Sequence, residues 1–101
     1  MKGKSVLKAE EGKLVKVFLD YDYTGEGKAM KINTIKITGD FFMHPEEGIE
    51  MLEKELIGAE MERNALLKRM DDFFRRKKIK LFGIASESLA TAILNCKEET
   101  G

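Results

Sequence analysis

Few side chains in this sequence could do chemistry, and they are scattered. There is one histidine, His44, and one cysteine, Cys96. A zinc site needs three or four cysteine, histidine or acidic ligands at suitable spacing, so none is expected. Magnesium and calcium take clusters of oxygen ligands. Asp20 with Asp22 and Asp71 with Asp72 are such pairs. Neither fits a calcium-binding loop, and both read as solvated acids opposite a buried face. Gly25-Glu26-Gly27 is too short for a G-x-G-x-x-G dinucleotide loop, and the sequence has no G-x-x-x-x-G-K-S/T phosphate loop. Cys96 follows Ile93 at helical spacing and reads as a small buried core residue. A reactive thiol would need an electropositive, accessible setting. His44 has no evident acid–base partner beyond Asp40 and the glutamates that follow it. No metal site and no complete catalytic set is expected from these residues.

Two stretches remain as candidates. The first is Gly39-Asp40-Phe41-Phe42-Met43-His44-Pro45-Glu46-Glu47, where a strand pattern gives way to a helix pattern. Loops held between rigid elements carry many functional residues. Adjacent strand residues point to opposite faces. One of Phe41 and Phe42 is therefore expected in the core and the other open to a partner, unless the chain twists and buries both. Exposed aromatic side chains are strong interface anchors. The second stretch is Arg75-Arg76-Lys77-Lys78. It reads as a solvated helix end whose cations complement the helix dipole, with Arg75, Arg76 and Lys77 as the electrostatic contact if an acidic partner docks there.

The elements that must position these residues follow from periodicity. A short strand is expected over 4–8 and a turn over 10–13. Residues 14–23 are the strongest strand pattern, with Val15, Val17, Leu19, Tyr21 and Tyr23 on one face and Lys16, Phe18, Asp20 and Asp22 on the other. Thr24-Gly25-Glu26-Gly27-Lys28 reads as a hairpin loop. A third strand is expected over 30–38. Met30 and Ile32 have one parity and Ile35 and Ile37 the other, so a bulge near Asn33-Thr34 is needed to give one buried face. A helix is expected over 45–57, with Pro45 at its first position, Glu46 and Glu47 in its first turn, Ile49, Leu52 and Leu56 inward and Gly58 as its C-cap. A second helix is expected over 61–77, burying Leu66, Met70, Phe73 and Phe74. Ile79 to Ile84 reads as a short extended piece. A last helix is expected over 86–96, capped by Ser86. Strands followed by helices indicate an α+β architecture, here a three-stranded antiparallel sheet with helices on one face.

Composition narrows the function classes. With 101 residues the chain reads as a single domain over 1–101, ending in a frayed tail at 97–101. The chain is 43% hydrophobic and 36% charged, which suits a globular protein. Lys plus Arg is 18 and Asp plus Glu is 18, so no excess of basic charge points to nucleic acid. No apolar run approaches the roughly 18 to 20 residues of a membrane span, and the N-terminal residues do not read as a signal peptide. With one cysteine and no internal disulfide, a reducing cytoplasm is the expected location.

Several of these segments resemble a known family. Gly12-Lys13-Leu14-Val15-Lys16-Val17, then Ile35-Lys36-Ile37-Thr38-Gly39-Asp40-Phe41-Phe42-Met43-His44-Pro45-Glu46-Glu47, then Leu52-Glu53 and Leu56-Ile57-Gly58 are similar to the C-terminal domain of lipoate–protein ligases. The likeness is greatest to the form encoded as a separate small subunit in archaea and some bacteria. Leu81-Phe82-Gly83-Ile84 and the helix after it also fit, so the resemblance covers about residues 12 to 95. It implies an accessory, non-catalytic subunit. In that family the large domain binds lipoate and ATP, makes lipoyl-adenylate and transfers lipoyl to a lysine of an acceptor domain, while the small domain is needed for the activation step. ATP, magnesium and lipoate are then expected at the large-subunit partner's site and none of them on this chain alone. Asp40, Phe41, Phe42, Met43 and His44 are the expected contact with that partner. Lys13, Lys16 and Lys36 are candidates for phosphate contact. Two other readings stay open. One is a sulfur-acceptor or scaffold-like enzyme acting through Cys96; the other is an unrelated interaction adaptor.

Overall fold

A computed structural model describes residues 1–24 and 29–96. The chain runs β1 (Lys2–Lys8), β2 (Leu14–Thr24), β3 (Ala29–Gly39), β4 (Phe42–His44), α1 (Gly48–Glu55), α2 (Arg63–Lys77), β5 (Lys80–Phe82) and α3 (Ser86–Asn95). β1, β2 and β3 form an antiparallel sheet in that order, and β4 and β5 form a separate two-stranded ribbon. The α+β order and the three-stranded sheet are as expected from the sequence. The ribbon is an addition. Of the expected hairpin loop over 24–28, Thr24 is the last residue of β2 and residues 25–28 lie outside the described residues, as does the expected tail at 97–101.

The sheet follows the alternation of its apolar residues. Val15, Val17, Leu19 and Tyr21 of β2 are buried, while Lys16, Phe18 and Asp22 are exposed. β3 keeps its apolar side chains on the same face because the register slips. Asp20 pairs with Thr34 but Tyr21 pairs with Ile32, so Asn33 is the extra residue. This is the expected bulge, and it buries Ile32, Ile35 and Ile37 together. Ser5 of β1 faces inward, where its hydroxyl donates to the Ala92 carbonyl at 2.6 Å. β1 lies so close to the end of α3 that a Cβ on Gly3 would sit 2.4 Å from the Cys96 carbonyl oxygen. The β3 edge is covered rather than left open. Ile32 N–H donates to the Ala59 carbonyl, Gly58 N–H donates to the Ile32 carbonyl, and Ile37 N–H donates to a Glu53 carboxylate oxygen at 2.7 Å. An unpaired edge invites other strands, and these groups occupy it.

The helices differ from expectation mainly at their ends. α1 begins at Gly48, not at Pro45, because His44 is still extended and paired with Lys80. The chain must reverse over 45–47 before it can coil, and Gly48 N–H closes that turn on the Pro45 carbonyl at 2.9 Å. The C-cap of α1 is Leu56. Gly58, at φ +83°, ends the following turn instead and gives its N–H to β3. α2 starts after Glu62, whose carboxylate accepts from the N–H groups of Asn64 and Ala65. Lys78 closes it in the left-handed conformation at φ 55°. Ser86 is not the cap of α3. Ala85 holds that position without a side-chain bond, because the chain already turns there, with Ser88 N–H donating to the Ala85 carbonyl. α3 packs on β1 and β2, α1 on β3, and α2 on both other helices.

The path into the ribbon depends on Gly39. A Cβ there would stand 2.3 Å from the Leu14 carbonyl oxygen and 2.9 Å from the Phe41 ring. Neither backbone nor a buried ring can move aside cheaply. Gly39→Ala is expected to cost roughly 1–3 kcal/mol of stability, read as a lower urea midpoint. An unchanged midpoint would show that the corner is looser than described.

Candidate functional site

The densest concentration of unusual surface is the β4–β5 ribbon. Asp40 N–H donates to the Leu14 carbonyl at 3.0 Å, which ties the corner to the start of β2. From there the chain alternates as a strand must. Phe41 is buried, Phe42 exposed, Met43 buried and His44 exposed. The ribbon register places Phe42 opposite Phe82, Met43 opposite Leu81 and His44 opposite Lys80. The Phe42 and Phe82 rings stack with centroids 5.0 Å apart and an interplanar angle of 16°. Phe42 is 60% exposed and Phe82 40%. Two large apolar rings held against each other in water are costly to leave uncovered.

The ribbon is rigid underneath. A Cβ on Gly48 would lie 3.0 Å from Ile79 and 3.1 Å from the Met43 Cβ, so the first turn of α1 sits directly on Met43. A Cβ on Gly83 would lie 3.3 Å from the Phe41 Cβ, with the Lys13 side chain close by. The exposed rings therefore stand on a packed floor. Their rim is polar: His44 and Lys80 are exposed across from each other and Asp40 is exposed at the entrance.

The five expected contact residues thus divide. Asp40, Phe42 and His44 face solvent; Phe41 and Met43 belong to the core. Phe82 and Lys80 complete the surface, and sequence reasoning missed both. The alternation of Ile79, Lys80, Leu81 and Phe82 marked an extended piece, but a three-residue strand carries no information about its pairing partner.

Arg75, Arg76 and Lys77 lie elsewhere, at the end of α2. Arg75 donates to Asp72 at 3.1 Å. Arg76 donates to Asp72 at 2.8 Å and reaches Glu55 at 3.4 Å. The hydrogen bond from Arg76 holds the Asp72 carboxyl below its usual range, and the same bond raises the guanidinium. Lys77 is exposed. No hydrogen bond or ion pair among the described residues joins this cluster to the ribbon. Lys13, Lys16 and Lys36 are all exposed; Lys13 lies beside Gly83, and the other two stand on the outer face of the sheet. Cys96 is fully buried, with its Sγ 3.5 Å from the Ala92 carbonyl oxygen, which is the setting of a core thiol. No group of three or more metal-ligating side chains occurs among the described residues. No helix among them is long and apolar enough to cross a membrane.

Comparison with known proteins adds two findings. Residues 21–93 match the family model described as bacterial lipoate protein ligase C-terminus. The fold matches a chain in the structure of an archaeal lipoylation system, a bi-partite lipoate protein ligase and its E2 lipoyl domain from Thermoplasma acidophilum. That match has a TM-score of 0.72 and 31% sequence identity, and covers 92% of this chain and 94% of that one. Comparison with curated proteins gave no match.

Two outcomes follow from the geometry. Phe41→Ala is expected to cost about 3–5 kcal/mol, as large core truncations do. Phe42→Ala loses one stacked pair and is expected to cost at most about 1.5 kcal/mol. Urea unfolding of the two variants checks this, and equal losses would contradict the alternation. The second outcome concerns pH. Because the folded-state pKa of Asp72 lies below 3.8, its stabilising contribution is present above that value and lost as pH falls through the lower one. The difference in Tm between the parent chain and Asp72→Asn should close over that acid range. A difference that persists below it would contradict the pairing.

Proposed function

This chain belongs to the family of bacterial lipoate protein ligase C-terminal domains, and we propose that it serves as the accessory subunit of a two-component lipoate–protein ligase. Its partner is a large subunit that carries the ATP and lipoate sites, with magnesium at the phosphates. The observation that carries this reading is the match to a chain of a bi-partite ligase over 92% of this chain and 94% of that one. The described residues offer a rigid, exposed aromatic surface that suits a supporting role.

In the activation step, a lipoate carboxylate oxygen attacks the α-phosphorus of ATP. Pyrophosphate leaves, and lipoyl-adenylate forms. The acceptor's lysine amine then attacks the acyl carbon, and AMP leaves. The first step brings two anions together in line, so it depends on fixed geometry and on exclusion of water. A small domain docked beside the pocket can supply both by ordering the partner's loops. Docking is assigned to the β4–β5 ribbon. Phe42 and Phe82 act as paired anchors on a preformed floor, so little conformational freedom is lost on binding. Asp40, His44 and Lys80 form a polar rim around them. Burial of Cys96 disfavours the alternative of a thiol-based sulfur acceptor.

The test is lipoate-dependent ATP–pyrophosphate exchange by the large subunit with and without this chain. Addition of the chain is expected to raise the exchange rate by about a hundredfold, the scale on which misplaced reacting groups lose rate. An identical rate with and without the chain would refute the accessory role.

A further inference from the structure

The helix-free face of the sheet carries a charge pattern that ribbon docking leaves unused. Outward positions of β1, β2 and β3 hold Lys2, Lys4, Lys8, Lys16, Lys31 and Lys36, all exposed. The outward acids of β2 are Asp20 and Asp22, and both lie near the N-terminal amine, at 3.4 Å and 3.5 Å. Asp22 also accepts from the Asn33 side chain at 2.7 Å. None of the six lysines has an ion-pair partner among the described residues. The chain as a whole has 18 basic and 18 acidic side chains, so the remainder of the molecule is net negative. This face carries an excess of positive charge.

The same face has an apolar centre. Phe18, 49% exposed, stands directly between Lys4 and Lys36 in the cross-strand register. Val6 and Leu14 are exposed on the outward side of β1 and β2. A shallow depression lined by Lys2, Lys4, Phe18, Asp20, Thr34 and Lys36 surrounds the ring. Lys2 and Lys31 stand opposite Asp20 and Asp22 in the register, but Lys4, Lys8, Lys16 and Lys36 have no acid opposite them, and like charges within about a Debye length of one another form a repulsive crowd. It fits recognition of an opposite charge.

We propose that the outer face of the sheet, centred on Phe18 between Lys4 and Lys36, binds the protein acceptor of the ligation through a carboxylate-rich surface. This deepens the accessory-subunit reading and rests on it. Ligation requires two kinds of encounter. The large subunit is a lasting partner, which suits the aromatic ribbon. The acceptor must arrive, react and leave, and a lysine-rich surface with a single apolar spot suits a fast, electrostatically steered and weak encounter. Nucleic acid is the less fitting occupant. Binding to single strands draws on several stacking rings along a groove, and here one ring stands on a flat sheet.

The experiment uses the two-subunit ligase and its acceptor domain. Exchange and lipoyl transfer are measured for the parent chain, for the double variant Lys4→Glu/Lys8→Glu on the outward side of β1, and for Lys68→Glu on α2 as a control. The double variant should leave exchange and large-subunit binding unchanged, raise the acceptor KM by roughly tenfold at low salt, and flatten its salt dependence. Lys4→Gln/Lys8→Gln should shift KM in the same direction by less, which also guards against a folding defect in the charge reversal. An unchanged acceptor KM in an active complex would overturn the proposal. So would loss of exchange or of subunit binding in a folded variant, because the face would then belong to the subunit interface. If the parent chain fails to stimulate exchange, the accessory-subunit reading fails instead. Anisotropy titration of labelled acceptor domain with this chain then still decides the face. Tighter binding to oligouridylate or to phosphatidylserine vesicles than to the acceptor would count against the proposal.

Discussion

The corner of this molecule depends on the burial of two side chains on either side of an exposed one. Phe41 and Met43 point inward, so Phe42 between them must point outward. Close approaches fix this choice from three directions. Gly39 leaves room for the Phe41 ring, Gly83 for the Phe41 Cβ, and Gly48 for the Met43 Cβ and Ile79. A side chain at any of these positions would press on Phe41 or Met43. Once they are seated, β4 can pair with β5, the Phe42 and Phe82 rings meet, and α1 begins three residues after Pro45. The exposed aromatic pair follows from how tightly the core closes beneath it.

Much of the architecture was legible in the sequence because it rests on periodicity. The alternation in β2 and the parity break in β3 gave the sheet, its buried face and the bulge at Asn33. The apolar stripes of α1 and α2 marked both helices. The ends were less legible. Pro45 and the two glutamates after it form a regular helix start by local chemistry, yet pairing of His44 with Lys80 keeps the chain extended through that point. Ser86 is a good capping residue, but the chain turns one residue earlier. Of the exposed aromatic pair, Phe42 was legible as one member of an adjacent pair, while the choice between Phe41 and Phe42 was not. Phe82 was invisible as its neighbour, since residues 45–79, all turn and helix apart from one isolated bridge, separate β4 from β5 and only the tertiary fold joins them.

The molecule presents two surfaces of different chemistry. The ribbon end is aromatic, small and rigid, and it stands on core residues. The outer face of the sheet is cationic, broad and only lightly apolar. A net charge of zero hid this separation at the level of composition. Interfaces that persist gain most from desolvated aromatic anchors, whereas charge mainly governs the rate and selectivity of brief encounters. A subunit that stays on a ligase while successive acceptors visit would need one surface of each kind. The basic end of α2 is different again: Arg75 and Arg76 are engaged by Asp72 and Glu55, which makes that cluster part of the packing of α2 against α1.

Hydroxyl-radical footprinting of this chain, alone and saturated with the ligase large subunit, tests docking through the ribbon. Phe42, Phe82 and Phe18 are all exposed in the isolated chain, so each reports on its own surface. Phe42 and Phe82 should lose reactivity in the complex while Phe18 keeps it. Unchanged oxidation of Phe42 and Phe82 in a saturated complex would contradict docking through the ribbon.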